Sequence, residues 1–324
     1  MVDLRTTYAG LTLDNPLIVS SSGLSDSLEK IVRLAGFGPG AIVLKSLFEE
    51  QILAEAGQLL GDQDYPEAAD YIRNYTKDHS VGEYLNLITA AKGRITQPVI
   101  ASINCVSNAD WVGFARQIQE AGADALELNL FILPVDGGDP RRVEEEYLDL
   151  IKRVREKTSL PLIVKVSPYF SNLIYMVQQF HAYGASGVVL FNRLYEPDID
   201  VRDLKITHAE VFSSPADLRQ TLRWISLTAD PYRQIDLSAS TGVHDADAVV
   251  KLLLAGAQTV QVCSVLYRQG PQYVKDLVDG LAKWMEAHGL PDVASFRGRM
   301  SYRNIENPRT WERAQFMRYF SSRH

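Results

Sequence analysis

Cysteine is nearly missing from this sequence: two residues in 324, Cys105 and Cys263, each inside an apolar run. That excludes a disulfide framework, a zinc-finger spacing and a cysteine-ligated iron–sulfur centre. It suits a reducing, cytoplasmic compartment. Long runs of Lys or Arg are missing too. With a formal net charge of −7, neither a nucleic acid nor an anionic membrane is an expected partner. No apolar stretch is long enough to span a bilayer, and MVDLRTTYAG lacks the apolar core of a secretory signal. Linkers and low-complexity tracts are absent, so one domain over 1–324 is expected. What remains is 46% hydrophobic and 23% charged, an ordinary globular composition with material for a full core.

Three near-copies of one junction punctuate the chain: EAGADALELN, AYGASGVVLFN and LAGAQTVQVCS. In each, an amphipathic stretch ends at a glycine (Gly122, Gly184, Gly256), and an apolar strand follows after a small residue. Glycine there fits the left-handed position that closes a helix. LAGFGPGAIVLKS, through Gly36, is a looser copy. Further β-type runs are NPLIVSSSG, QPVIASINC, LPLIVKVSP and QIDLSASTG. Together they predict eight strands, near Leu17, Ile42, Val99, Leu126, Ile163, Val188, Ile235 and Val260. Helical patterns such as RRVEEEYLDLIKRVREKT and DADAVVKLLLAG separate them. Alternation of this kind implies parallel strands, and eight units predict an α/β (β/α)8 TIM barrel. An open doubly wound sheet is the alternative.

Three segments fall outside the eight units. Residues 3–16 alternate like a short N-terminal β-hairpin, expected to cap the lower end of the barrel. Residues 49–82 are polar and weakly periodic after the second strand, where a long insertion reads as a substrate loop or lid. The extension 295–324 carries arginines among aromatics and reads as a helix packed on the barrel or on a second subunit.

In such barrels the chemistry gathers at the C-terminal ends of the strands. Here those ends are Ser21-Ser22-Gly23, Lys45-Ser46, Asn104, Asn129, Lys165, Asn192, Ser240-Thr241-Gly242 and Cys263-Ser264. Apart from Cys263, every one is small, amide or cationic, which packing alone does not require. The loops after the seventh and eighth strands, SASTGVHDADAVV and CSVLYRQGP, place small residues before helix starts, as a phosphate cradle would. Plain N-capping would use the same residues. Lysines at strand ends are costly unless they meet an anion or several acceptors. Glu127, on the strand beside Lys165, is one such anion. A flat phosphorylated cofactor with a polar edge is another account, and an isoalloxazine ring fits it, since its reduced form is negative near N1.

In order and spacing, GLTLDNPLIVSSSG, VLKS, ASINC, ELN, LIVKVSP, LFN and AGAQTVQVCSVLYRQGP resemble the dihydroorotate dehydrogenase family of FMN-dependent barrels over nearly the whole chain. The resemblance implies one FMN per subunit, a small-molecule substrate, an electron acceptor it does not name, and often a homodimer. It implies that Ser22 and Gly23 touch the flavin, that Lys45 and Ser46 lie beside the ring, and that Asn129, Lys165 and Asn192 bond its polar edge. Asn104 ends the third strand in the same set. Ser240, Thr241, Gly242, Cys263 and Ser264 would hold the phosphate. Lys45, Asn129 and Lys165 would serve catalysis.

The resemblance breaks at ELNLFILP. The family pattern there is similar to ELNLSCPN, in which the Cys, or a Ser in its place, takes a proton from C5 of dihydroorotate while hydride leaves C6. Asn129 remains, but Ile132 stands at the base position and Pro134 at the position of a substrate-binding Asn. A hydrocarbon cannot accept a proton. An asparagine-rich substrate turn is replaced by YIRNYTKDHSVGEYL, with Asn74 a loose match. Candidate replacement bases are His79, Asp136 and Cys105, against ordinary roles as a solvated His, a turn Asp and a small buried Cys. Arg193 is a candidate for a substrate carboxylate or a plain surface residue. A Schiff-base lyase using Lys165 and a flavin-binding pseudoenzyme are the competing readings.

Overall fold

The alternation of apolar runs and amphipathic stretches builds a closed barrel. The computed structural model describes residues 2–48, 66–104, 111–133, 135, 137–193, 196–229 and 234–312. An antiparallel hairpin comes first, β1 (Thr6–Tyr8) with β2 (Leu11–Leu13). Then follow β3 (Leu17–Val19), β4 (Ala41–Val43), β5 (Leu47–Phe48), β6 (Val99–Asn104), β7 (Ala125–Asn129), β8 (Leu162–Val166) and β9 (Gly187–Leu190). A second, separate hairpin is β10 (Pro197–Asp200) with β11 (Lys205–His208), and β12 (Asp236–Ser240) and β13 (Thr259–Val262) complete the strands. Eight of them pair in parallel in the order β4-β3-β13-β12-β9-β8-β7-β6, and β4 pairs with β6 to close the ring. Closure excludes the open doubly wound sheet. All eight expected strands are present; the seventh begins at Asp236, one residue after Ile235.

The barrel strands are largely apolar on both faces, apart from buried polar residues such as Ser102, Glu127, Lys165, Ser238 and Gln261, because both faces are covered. Outward residues pack under the helices in the main core. Inward ones form a second, smaller layer of Ile18, Ala41, Val43, Ile100, Ala125, Ile163 and Val189, closed by Tyr8, Ala9 and Leu13 of the hairpin. Tyr8 and Leu13 are fully buried, so the hairpin plugs the lower end of the barrel as its alternation implied. Asp236, at the start of β12, fastens it by accepting the Ala9 N–H at 2.7 Å.

Gly122, Gly184 and Gly256 have φ of +94°, +107° and +119°, the left-handed closures their junctions required. At the looser junction the expectation fails by two residues. Gly36 is right-handed (φ −61°) and Gly38 takes the positive φ, +74°.

Part of the segment after the second strand is helical. A 27-residue helix, Pro66–Lys92, contains residues 66–82, whereas 49–65 lie outside the described residues. The helix is fixed to β6 by Tyr84, whose hydroxyl accepts the Ser102 N–H (2.8 Å) and donates to the Ser102 carbonyl (3.0 Å). The C-terminal extension was expected to be a helix. Its described part is mostly turns instead, with helix only at Arg309–Glu312. Gly298, Met300 and Tyr302 donate backbone N–H groups to Leu253, Leu254 and Ser226 carbonyls. The segment therefore divides its hydrogen bonds between neighbouring helices and its own turns, such as Ser301 N–H to the Gly298 carbonyl and Asn304 N–H to the Ser301 carbonyl. Among the described residues no helix is long and apolar enough to cross a membrane.

Candidate active site

The C-terminal ends of the eight barrel strands surround one cleft of about 530 Å³. Every strand-end residue singled out from sequence lines it: Ser22 and Gly23 after β3, Lys45 and Ser46 after β4, Asn104 of β6, Asn129 of β7, Lys165 of β8, Asn192 after β9, Ser240, Thr241 and Gly242 at β12, and Cys263 and Ser264 after β13. They converge because parallel strands in a barrel all end on one rim.

The floor is polar and tightly bonded. Lys165 is 5% exposed. Its ammonium donates to Ser20 Oγ (2.9 Å) and Gln261 Oε1 (3.0 Å) and lies 3.7 Å from Glu127 Oε1. The internal ion pair that β-strand adjacency suggested therefore exists. Beside it runs a hydroxyl chain, Ser21 Oγ to Ser46 Oγ at 3.0 Å and Ser46 Oγ to Ser102 Oγ at 2.7 Å. The Asn192 amide donates to the Asn129 side-chain oxygen, which orients both amides at the rim. Lys45 lines the cleft as well but, unlike Lys165, forms no ion pair among the described residues.

The turn after β12 has two successive left-handed residues, Thr241 (φ +83°) and Gly242 (φ +81°). Thr221 holds it from behind, donating its hydroxyl to the Ser240 carbonyl at 2.9 Å. Gly242 is required twice. Its φ favours glycine, and a Cβ there would fall 2.2 Å from the backbone N of Leu218. Burial pushes the Cys263 thiol pKa up, against weaker opposing effects of Ser22 and Lys165. Cys263 is therefore a wall of the site rather than a thiolate nucleophile.

One wall was not legible in the sequence. Phe48, Phe131, Val211, Phe212 and Tyr267 also line the cleft, and the Phe212 and Tyr267 rings lie 5.2 Å apart. Val211 and Phe212 arrive on the connection that follows the β10–β11 hairpin. Arg193 holds that connection in place. Its guanidinium donates to the carbonyls of Glu210 (2.9 Å), Val211 (3.1 Å) and Phe212 (3.2 Å), and pairs with Asp217 at 3.4 Å. Arg193 is thus neither a plain surface residue nor a free carboxylate clamp, because its donors are already committed. Gln261 carried a usable signal, as a polar residue between Val260 and Val262 in an otherwise buried strand.

The sequence profile described as Dihydroorotate dehydrogenase matches residues 67–285. The chain belongs to the dihydroorotate dehydrogenase family. It is an oxidoreductase of that type, a dehydrogenase acting on CH–CH bonds. It is 27% identical over 308 residues to a dihydroorotate dehydrogenase B (NAD(+)) catalytic subunit of Thermoplasma acidophilum, covering 90% of this chain and 98% of the relative. Over 325 residues it is 24% identical to the NAD-dependent dihydropyrimidine dehydrogenase subunit PreA of Escherichia coli K12, covering 91% and 76%. A shorter match, 30% over 206 residues and 60% and 64% of the two chains, is to a dihydroorotate dehydrogenase B (NAD(+)) catalytic subunit of Enterococcus faecalis.

Within the dihydroorotate dehydrogenase family frame, the departure after Asn129 takes a definite shape. Phe131 lines the cleft, while Ile132 packs against the core and donates its backbone N–H to Tyr147 Oη at 2.9 Å. Pro134, Asp136 and Cys105 lie outside the described residues, as does the side chain of Asn74. His79 projects from the Pro66–Lys92 helix, 63% exposed and 3.3 Å from Glu83, and does not line the cleft. Among the described lining residues there is no Asp, Glu or His.

Proposed function

We propose that the cleft holds one FMN and that the chain oxidises dihydroorotate, or a related small cyclic, carboxylated substrate. The observation that carries this reading is the convergence of eight strand ends, polar and cationic, on one cleft of the volume a ligand site needs. The donor set fits the group. Lys45 brings positive charge without a described acidic partner, Asn129 and Asn192 bring amides, and the left-handed turn at Thr241–Gly242 suits an anion. Bound there, FMN would supply the hydride acceptor. Asn129, Lys165 and Asn192 would bond its polar edge, Lys45, Ser46 and Asn104 would lie alongside, and Ser22 and Gly23 would support it. Ser240, Thr241, Gly242, Cys263 and Ser264 would hold its phosphate. The aromatic wall of Phe131, Phe212 and Tyr267 would keep water from the ring.

The relatives named as subunits support a protein partner as the source of the electron acceptor, and the cysteine-poor composition supports a cytoplasmic site. Ile132 at the base position supports a second reading, a flavin-binding protein with little or no turnover. The lyase reading loses support, because the Lys165 side chain is buried and already held by Ser20, Gln261 and Glu127, contacts that a Schiff base would have to break. The test is the visible spectrum of the pure protein with mass identification of any released chromophore. Colourless protein that also fails to quench FMN fluorescence in titration would refute the proposal.

A further inference from the structure

Beneath the cleft floor lies an ion pair that the family reading does not use. Glu127 is fully buried, Gln261 is 1% exposed and Ser20 4%. Glu127 and Asn129 share one face of β7, and Asn129 is the register partner of Lys165 on β8, so the carboxylate sits one pleat below the ammonium. Gln261 joins the two. Its amide oxygen accepts from Lys165 at 3.0 Å, and its amide nitrogen donates to Glu127 Oε2 at 2.8 Å. That orientation is forced, because the flipped amide would set N–H against an ammonium and oxygen against a carboxylate. Glu127 Oε1 has no hydrogen-bond partner, and its nearest cation is Lys165, 3.7 Å away. A buried carboxylate so sparsely bonded is poor stabilising material, since an apolar side chain of similar volume would cost less to bury. Its placement makes sense as a means of holding the ammonium. Two of the three Lys165 donors are spent inside the barrel, and one is left for an occupant of the cleft.

We propose that Glu127, acting through Gln261, is a positioning and charge-balancing residue for Lys165. It fixes the ammonium under the rim and cancels its charge, so that the occupant meets a neutral pair rather than a bare cation. For the redox consequence the proposal rests on the FMN reading; for the coupling of the two side chains it does not.

Two measurements on the full-length protein test it. In the holoprotein, the reduced-to-oxidised flavin ratio is read against a reference dye. Glu127→Gln leaves Lys165 without its counter-charge and should raise the ratio at least about tenfold, the effect of one unit charge no farther than about 12 Å away at an effective dielectric of about 20. Lys165→Met should lower it by a similar factor, and the double variant should fall between. A ratio for Glu127→Gln within twofold of wild type overturns the proposal. In protein stripped of ligand, Lys165→Met should melt below the double variant, because the single change strands a buried carboxylate. Additive melting shifts overturn the proposal. If wild type binds no FMN, the FMN reading falls and the melting measurement alone decides the coupling. If Glu127→Gln does not fold, the double variant against Lys165→Met reports the same charge, and equal flavin ratios there overturn the proposal.

Discussion

Replacing Gly242 with alanine separates backbone strain from close approach. Gly242 has φ +81°, and its Cβ would lie 2.2 Å from Leu218 N, 2.7 Å from Leu218 Cα and 2.8 Å from Asp217 C. These neighbours are backbone atoms at the start of the Leu218–Thr228 helix and cannot swing aside as a side-chain tip can. Alanine in the left-handed region costs roughly 1–2 kcal/mol. Overpacking against fixed atoms adds about 1–3 kcal/mol, for a total of about 2–5 kcal/mol. Gly289 is the control, with φ +62° and nothing within 4 Å of its Cβ, so Gly289→Ala carries only the first cost. An unfolding entropy of about 2 cal/mol/K per residue over 324 residues converts each kcal/mol to about 1.5 °C. Thermal melting should therefore fall by about 3–7.5 °C in Gly242→Ala and by about 1.5–3 °C in Gly289→Ala. FMN affinity should drop only in Gly242→Ala, because the turn must move. Equal melting shifts for the two, or full FMN affinity in Gly242→Ala, would refute the reasoning.

Arg193→Met should free the connection around Glu210–Phe212, seen as faster amide hydrogen exchange there. Arg193→Lys should not restore protection, since an ammonium cannot span three carbonyls as a planar fork does. His244, which Ser213 Oγ contacts at 3.1 Å, has its pKa lowered from the ordinary 6.5, first by burial and then by Arg268. The folded state thus binds this proton less readily than the unfolded chain. The stability contributed is complete above about pH 6.5 and is lost as pH falls through the lower folded value. In urea melts between pH 7 and 5, His244→Gln should flatten that decline, and an unchanged slope would contradict it. Dihydroorotate should bleach the flavin slowly under anaerobic mixing. Without a base in the Ile132 position, the proton step loses help typically worth roughly 10² to 10⁴-fold. Rapid, saturable bleaching would show that another residue fills the role, and variants of His79, Asp136 and Cys105 would then identify it.

Local sequence alone determined the strands, their closing glycines and the rim residues of this protein. The reason is geometric: apolar period and helix closure are properties of neighbouring residues, and parallel strands in a closed barrel must all end on one rim. That is why Ser22, Lys45, Asn129, Lys165, Asn192 and Ser240 line one cleft. The Gly36 junction misled because two glycines two residues apart satisfy the same pattern, and Gly38 is the one with positive φ. What joins distant segments was decided by the tertiary structure. Gln261 meets Glu127 across 134 positions and Lys165 across 96, a contact set by the order in which β7, β8 and β13 stand around the barrel. Arg193 reads as a binding residue until the β10–β11 connection folds back and takes its donors. Phe212 meets Tyr267 only because of that return, since no periodicity in a long connection states where its chain will lie.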